Sequence, residues 1–204
     1  MTIRRHRSDL PELSAYSGAV AVDTETMGLQ PARDRLCVVQ LSPGDGSADV
    51  VQIGPGKPAA PNLVRLLGDP SILKIFHFAR FDLGILYQTF GVMPAPVYCT
   101  KIASRLARTY TDKHGLKDLV KELLGVDLSK QQQTSDWGSD DLSDAQVAYA
   151  ASDVLHLHAV KAKLDAMLAR EGREDLAAAC FRFLPDRVRL DLSGWDQEDI
   201  FAHS

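Results

Sequence analysis

The stretch Ala19-Val20-Ala21-Val22-Asp23-Thr24-Glu25-Thr26 decides how this chain folds. Its apolar start reads as a short buried strand ending at Asp23. Residues i and i+2 of a strand point to one face, so Asp23 and Glu25 present two carboxylates together at the strand end. Such a pair repels by about 4 kcal/mol at 4 Å and an effective dielectric of 20. No cation is adjacent in sequence, and a hard divalent ion such as Mg²⁺ or Mn²⁺ prefers oxygen ligands. Read alone, the pair also fits two solvated turn acids.

Outward from this strand the pattern continues. Residues 36–41 and 49–53 are two more strand candidates, joined by the turn Ser42-Pro43-Gly44-Asp45-Gly46. Three strands with short links predict an antiparallel meander, broken by the loop 54–58. Beyond it the style changes. A short helix is predicted over 62–67, a fourth strand over 72–76, a helix from Phe81 to Phe90 stopped by Gly91, and a fifth strand over 97–99. Helices are predicted over 100–107 and 115–124, then one long helix from about 143 to 170. Ser143 and Gln146 give that helix a capping box. A last helix runs from about 173 to 183 and ends at Pro185. Strands first and helices later predict an α/β fold, a central mixed sheet flanked by helices. The catalytic body is expected over about 15–184, with an acidic arm over about 185–204 that carries Trp195 and Phe201.

The 204 residues suit one domain with a real core. No run of about 18 apolar residues occurs, so no membrane span is expected. The basic start lacks the apolar stretch of a secretory signal, which points to the cytoplasm. Cys37, Cys99 and Cys180 form no CxxC pair, so neither a disulfide framework nor a thiolate zinc site is supported. A net charge of −4 argues against non-specific nucleic-acid binding by the whole surface. Basic residues nevertheless crowd the middle (Lys101, Arg105, Arg108, Lys113, Lys117, Lys121 and Lys130), while acids load the later part.

Two further elements carry chemistry. In Tyr149-Ala150-Ala151-Ser152-Asp153 the tyrosine and the carboxylate lie one helical turn apart on one face. The small neighbours let this helix sit close to the sheet, which brings Asp153 toward Asp23. An amphipathic helix with a buried tyrosine and an exposed acid would read the same way. In His77-Phe78-Ala79-Arg80-Phe81-Asp82, the aspartate falls in the first turn of a helix, where the dipole favours it in any case. His77 fits a ligand, a base or a hydrogen-bonded structural histidine.

Together and in this order, the three elements resemble the DEDD exonuclease superfamily in its tyrosine-bearing branch, and more widely ribonuclease D. The first motif is Asp23 to Leu29, the second His77 to Leu83, the third Tyr149 to Val154. Gln133-Thr134-Ser135-Asp136-Trp137 is similar to the QxSDW segment of ribonuclease D. The resemblance covers about residues 15–170. It implies a ribonuclease H-like fold and hydrolysis of RNA from the 3′ end with two divalent cations, Mg²⁺ or Mn²⁺, releasing nucleoside 5′-monophosphates. It assigns the metals to Asp23, Glu25, Asp82 and Asp153, and the orientation of the attacking water to Tyr149. Glu25, Thr26 and Leu29 would touch the terminal nucleotide, with Leu29 as an apolar wedge. Beside the resemblance, His77 is a further substrate-binding candidate, and Arg80, Lys101, Arg105, Lys113 and Lys117 are candidates for upstream phosphates, or else ordinary solvated charges. Phe78 departs from the pattern, because members often carry Asn after the histidine. Ribonuclease D also has helical RNA-binding domains behind its nuclease domain, with no room for them here, so a short stand-alone form is expected. The partners implied are RNA 3′ ends or single-stranded DNA, with no membrane. An oligomer through the C-terminal arm stays open. A DNA exonuclease of the same superfamily is the near alternative, and an inactive nucleic-acid-binding module the distant one.

Overall fold

The computed structural model describes residues 2–31, 33–56, 59–129 and 131–203. Its strands are β1 (Thr2–Arg7), β2 (Ala19–Thr26), β3 (Leu36–Ser42), β4 (Ser47–Gln52), β5 (Leu73–Phe76) and β6 (Val97–Cys99). Its helices are α1 (Pro61–Gly68), α2 (Ala79–Phe90), α3 (Thr100–Ala107), α4 (Leu116–Leu124), α5 (Asp144–Leu155), α6 (Leu157–Arg170) and α7 (Glu174–Leu190), followed by a π-helical turn, Asp191–Trp195. The strands form one mixed sheet in the order β1-β4-β3-β2-β5-β6. The meander β2-β3-β4 is antiparallel as expected, and β5, β6 and β1 join it in parallel.

Alternation along β2 sorts its side chains to two cores. Val20 and Val22 join Leu63, Leu83 and Leu86 on the face covered by α1 and α2. Ala21 joins Ala150, Ala151 and Val154 on the face covered by α5. Asp23 and Glu25 continue the α5 side, and Thr24 continues the α2 side. The ladder shifts register between Glu25 and Thr26, an irregularity at the end where the carboxylates stand.

The structure corrects four expectations. First, the basic N-terminal segment is a strand, missed because it has no apolar run. Arg4 donates two hydrogen bonds of 2.7 Å to Asp49, and Tyr16 and His6 complete its shell at 2.6 and 2.7 Å. Burial alone would raise the Asp49 pKa, but these partners win and hold it at about 2. Second, β2 runs through both carboxylates to Thr26 instead of ending at Asp23. Third, the long helix breaks at His156. The break lets α5 lie along the sheet while α6 packs against α3 and α4. Fourth, α7 passes through Pro185, although proline removes one helix hydrogen bond. Its two ends are held by different cores: Ala177 by the α5-side core, Leu184 and Val188 by the other. Residues before position 15 thus add an edge strand, and α7 continues beyond 184. The predicted loop residues Lys57 and Pro58, and Lys130 of the basic set, lie outside the described residues. Among those described, no helix is long and apolar enough to cross a membrane.

Candidate active site

Asp23, Glu25 and Asp153 come together where β2 and α5 meet. One carboxylate oxygen from each lies within 4.8 Å of the others. The close approach of α5 rests on Ala150 and Ala151, both fully buried against the sheet. A helix with larger residues there would stand off and carry Asp153 away. The α5 start is fixed by the capping box at Ser143, whose hydroxyl accepts from Gln146 N at 3.2 Å while the Gln146 side chain accepts from Ser143 N at 2.9 Å. The same Gln146 amide donates to the Asp136 carbonyl at 2.9 Å. That ties down the Ser135-Asp136-Trp137 segment, and buried Trp137 packs its ring 6.1 Å from that of Tyr149.

Asp82 approaches from the opposite face of the sheet. It is 3 % exposed and accepts a 2.7 Å hydrogen bond from the Thr24 hydroxyl. Its oxygens are not within the three-carboxylate group, yet its charge raises the pKa of both Asp23 and Glu25. The reason is topological. Asp82 is on α2, under the face that Thr24 occupies.

The cluster resists ionisation. Burial first, then Asp82, Asp153 and Glu25, pushes Asp23 well above the ordinary carboxylate range. Burial, then Asp153 and Asp82, brings Glu25 to about 9. Burial brings Asp82 and Asp153 to about 7 each, opposed by the Thr24 and Tyr149 hydroxyls. Like charges about 4.8 Å apart repel by roughly 3.5 kcal/mol at an effective dielectric of 20. Hard oxygen donors in this arrangement fit a divalent cation, which would exchange for the protons.

Sequence reading missed Gln40. Its fully buried amide donates to Asp23 at 2.7 Å from the directly paired position on β3. A glutamine inside the otherwise apolar run 36–41 was the available signal. Its own carbonyl oxygen is buried without a partner. Gln40→Leu therefore removes an unpaired oxygen along with the bond that orients Asp23. Expected is an unchanged or higher melting temperature with metal affinity down about 10–100-fold, read from a Mg²⁺ titration of activity. Unchanged affinity would refute the orienting role.

The cleft over the cluster holds about 350 Å³ and is lined by Thr26, Leu29, His77, Phe78, Phe81, Lys101, Lys117 and Tyr149 besides the three carboxylates. Leu29 is 84 % exposed. His77 bonds Thr100 Oγ1 at 2.9 Å, and burial together with nearby Lys101 lowers its pKa to about 3, so it is neutral near pH 7. Burial, Asp153 and Glu25 push the Tyr149 hydroxyl above its ordinary value, so it keeps its proton. Arg80 is not brought to the cluster. It is bound to Asp191 at 2.7 Å and to the Asp196 carbonyl at 3.0 Å, beside an adjoining cavity of about 870 Å³ that shares Leu29, Phe78 and Phe81 with the cleft and is lined on its other side by the C-terminal turn. Of the basic set, Lys101 and Lys117 reach the cleft. Arg108 is fully buried and ion-paired with Glu122, and Lys121 is paired with Asp127 at 2.8 Å.

This sheet, with acids gathered at one strand end, is the architecture of a hydrolytic nuclease domain. A family model described as 3′-5′ exonuclease matches residues 6–169. The chain belongs to that family. It is a ribonuclease D-like exonuclease of the DEDD type with a ribonuclease H-like fold, and the family is divalent-metal dependent. Ribonuclease D of Gluconacetobacter diazotrophicus is 41 % identical over 167 residues, covering 82 % of this chain and 42 % of the relative. The chain thus spans less than half the length of that relative. The solved structure of Escherichia coli RNase D aligns with a TM-score of 0.74 and 29 % identity over 85 % of this chain and 45 % of that one. Brucella melitensis NrnC matches over the full length of both chains: 63 % identity and a TM-score of 0.96 for the structure with bound Mg²⁺, 64 % and 0.97 for that bound to pGG.

Proposed function

We propose that this chain hydrolyses RNA from its 3′ end, releasing nucleoside 5′-monophosphates, with two divalent cations held by Asp23, Glu25, Asp82 and Asp153. The observation that carries the reading is the meeting of three carboxylates from β2 and α5 within 4.8 Å. The Mg²⁺-bound and pGG-bound NrnC structures support Mg²⁺ as the ion and very short 5′-phosphorylated RNA among the substrates. When bound, such cations lower the pKa of an attacking water and steady the leaving 3′ oxygen.

The chain's own residues do the rest. Gln40 holds the Asp23 carboxylate in position. Asp82, held by the Thr24 hydroxyl at the edge of the cluster, would be the fourth carboxylate available to the cations. Tyr149, protonated and next to Asp153, holds the water by a hydrogen bond at its hydroxyl oxygen, and does not act as a base. Thr26 and Leu29 meet the terminal nucleotide, and Lys101 and Lys117 meet its upstream phosphates. Phosphate contacts carry no sequence information, so sequence preference is weak.

The deciding experiment digests end-labelled pGG and a longer RNA, each with a DNA counterpart, in Mg²⁺, Mn²⁺ or EDTA. Expected are mononucleotides from RNA with either metal and none in EDTA. Faster release from DNA would favour the DNA exonuclease, and binding without release the inactive module. Tyr149→Phe should lower kcat by about 10–100-fold and leave the metal-induced rise in melting temperature intact. Full activity in that variant would remove the tyrosine from the mechanism.

A further inference from the structure

Phe78 is an outlier by several measures at once. Its backbone is left-handed, at φ 67 and ψ 45, a conformation in which Asn and Gly are at home and phenylalanine is not. The turn it makes leads β5 into α2, and its carbonyl accepts from Phe81 N at 3.2 Å. Its neighbours turn inward: His77 bonds Thr100 and Ala79 is fully buried. The Phe78 ring stays outside, 46 % exposed, in the wall of the carboxylate cleft. Lys101 places its ammonium 4.0 Å from the ring centroid. Neither the turn nor the core calls for a phenyl group here, and strain of this kind gathers where a site uses it.

We propose that Phe78 is the stacking face for a substrate base, and that Lys101, held against the ring in the same cleft, serves both its orientation and the adjoining phosphate. The inference rests on the proposed nucleolytic function and adds a substrate-positioning residue to it. Three features make the ring suited to a base. It is flat and apolar at the edge of a polar cleft, as base-stacking platforms are. It shares the cleft with Leu29 and Phe81, so a base leaving water there meets apolar surface on more than one side. A cation against an aromatic ring is attracted to it and steadies it. Where members of the resembling family often have a polar Asn, this chain offers stacking, which tolerates any base.

The test uses the full chain with a short RNA, intact or carrying an abasic residue at the last or the penultimate position. Phe78→Ala and Phe78→Asn should raise KM about tenfold or more, and Phe78→Trp should hold it near wild type. The kcat of all three should stay within about threefold, because metal and water are untouched. Phe78→Asn should melt no lower than wild type, since Asn accepts the left-handed backbone. At one of the two positions the abasic penalty should be largely absent in Phe78→Ala, as expected when ring and base contact each other. An unchanged KM in Phe78→Ala, or independent penalties at both positions, overturns the inference. If wild type releases no nucleotide, the functional reading falls by itself. Equilibrium binding of the same RNAs in Ca²⁺, followed by anisotropy, then decides stacking by the same pattern of coupling.

Discussion

Replacing Asp153 with asparagine should stop nucleotide release and, in metal-free protein, raise the melting temperature. The two effects share one cause. Asp153 stands with Asp23 and Glu25 inside 4.8 Å, and after burial it is the largest influence raising Glu25 to about 9. Asparagine keeps the shape and removes the charge, so the remaining carboxylates repel less. Relief of even about 1 kcal/mol moves the melting point of a chain this size by roughly 2–4 °C. The same change takes away a ligand that the proposed cations need. A loss on the order of 10³-fold in kcat corresponds to about 4 kcal/mol of transition-state stabilisation. Mg²⁺, which should stabilise wild type, should leave the variant's melting curve nearly unmoved. Calorimetry with and without Mg²⁺, beside a nucleotide-release assay, reads all three quantities. A variant that keeps more than about a tenth of wild-type activity would sink the catalytic assignment. One that is inactive but melts lower would show that the acids stabilise the fold, against the repulsion derived from their spacing.

That opposition between stability and function explains what the sequence could reveal. The Asp23 and Glu25 pair was legible because strand alternation fixes which residues share a face. Tyr149 and Asp153 were legible because helix periodicity does the same. The convergence of the two elements followed from Ala150 and Ala151, whose size lets a helix approach a sheet. Other features depend on partners far along the chain. The segment Thr2–Arg7 became a strand because Asp49 waits on β4 to bind Arg4 and His6, which no local pattern announces. Arg80 was read as a candidate for an upstream phosphate, and its pairing with Asp191, 111 positions later, depends on where the chain's end folds back. Asp82 was placed in a first helical turn correctly, but its bond to Thr24 depends on which sheet face α2 covers. Pro185 should stop a helix by local chemistry, and two separate cores overrule it. Gln40 stood in plain view as a polar residue in an apolar strand. Its role needed the register that sets it opposite Asp23.

Metal-free protein should also lose stability as pH rises from 6.5 to 8, and Mg²⁺ should reverse the trend. Asp82 and Asp153 near 7 and Glu25 near 9 all lie above their values in an unfolded chain. The folded state therefore holds protons that the unfolded state has released. Stability from these groups is complete below about pH 4 and declines as pH rises through the folded values. The window matters because other groups run the other way. His77, lowered to about 3, adds stability as pH rises toward about 6.5, and Lys74, lowered by burial to about 8, does so above that value. Between these limits the carboxylates dominate, and a fall of about 3 °C or more is expected. A cation binds only the deprotonated acids, so its benefit grows with pH. At free Mg²⁺ near 100 times its Kd the gain approaches about 2.7 kcal/mol, enough to raise the melting point by roughly 5–10 °C at pH 8. At pH 6.5 the gain should be visibly smaller. Because the slope arises in the cluster, Asp82→Asn must flatten it in metal-free protein. A wild-type slope that is flat or rising, or one that Asp82→Asn leaves unchanged, would mean that the acids do not share their protons in the way their geometry requires.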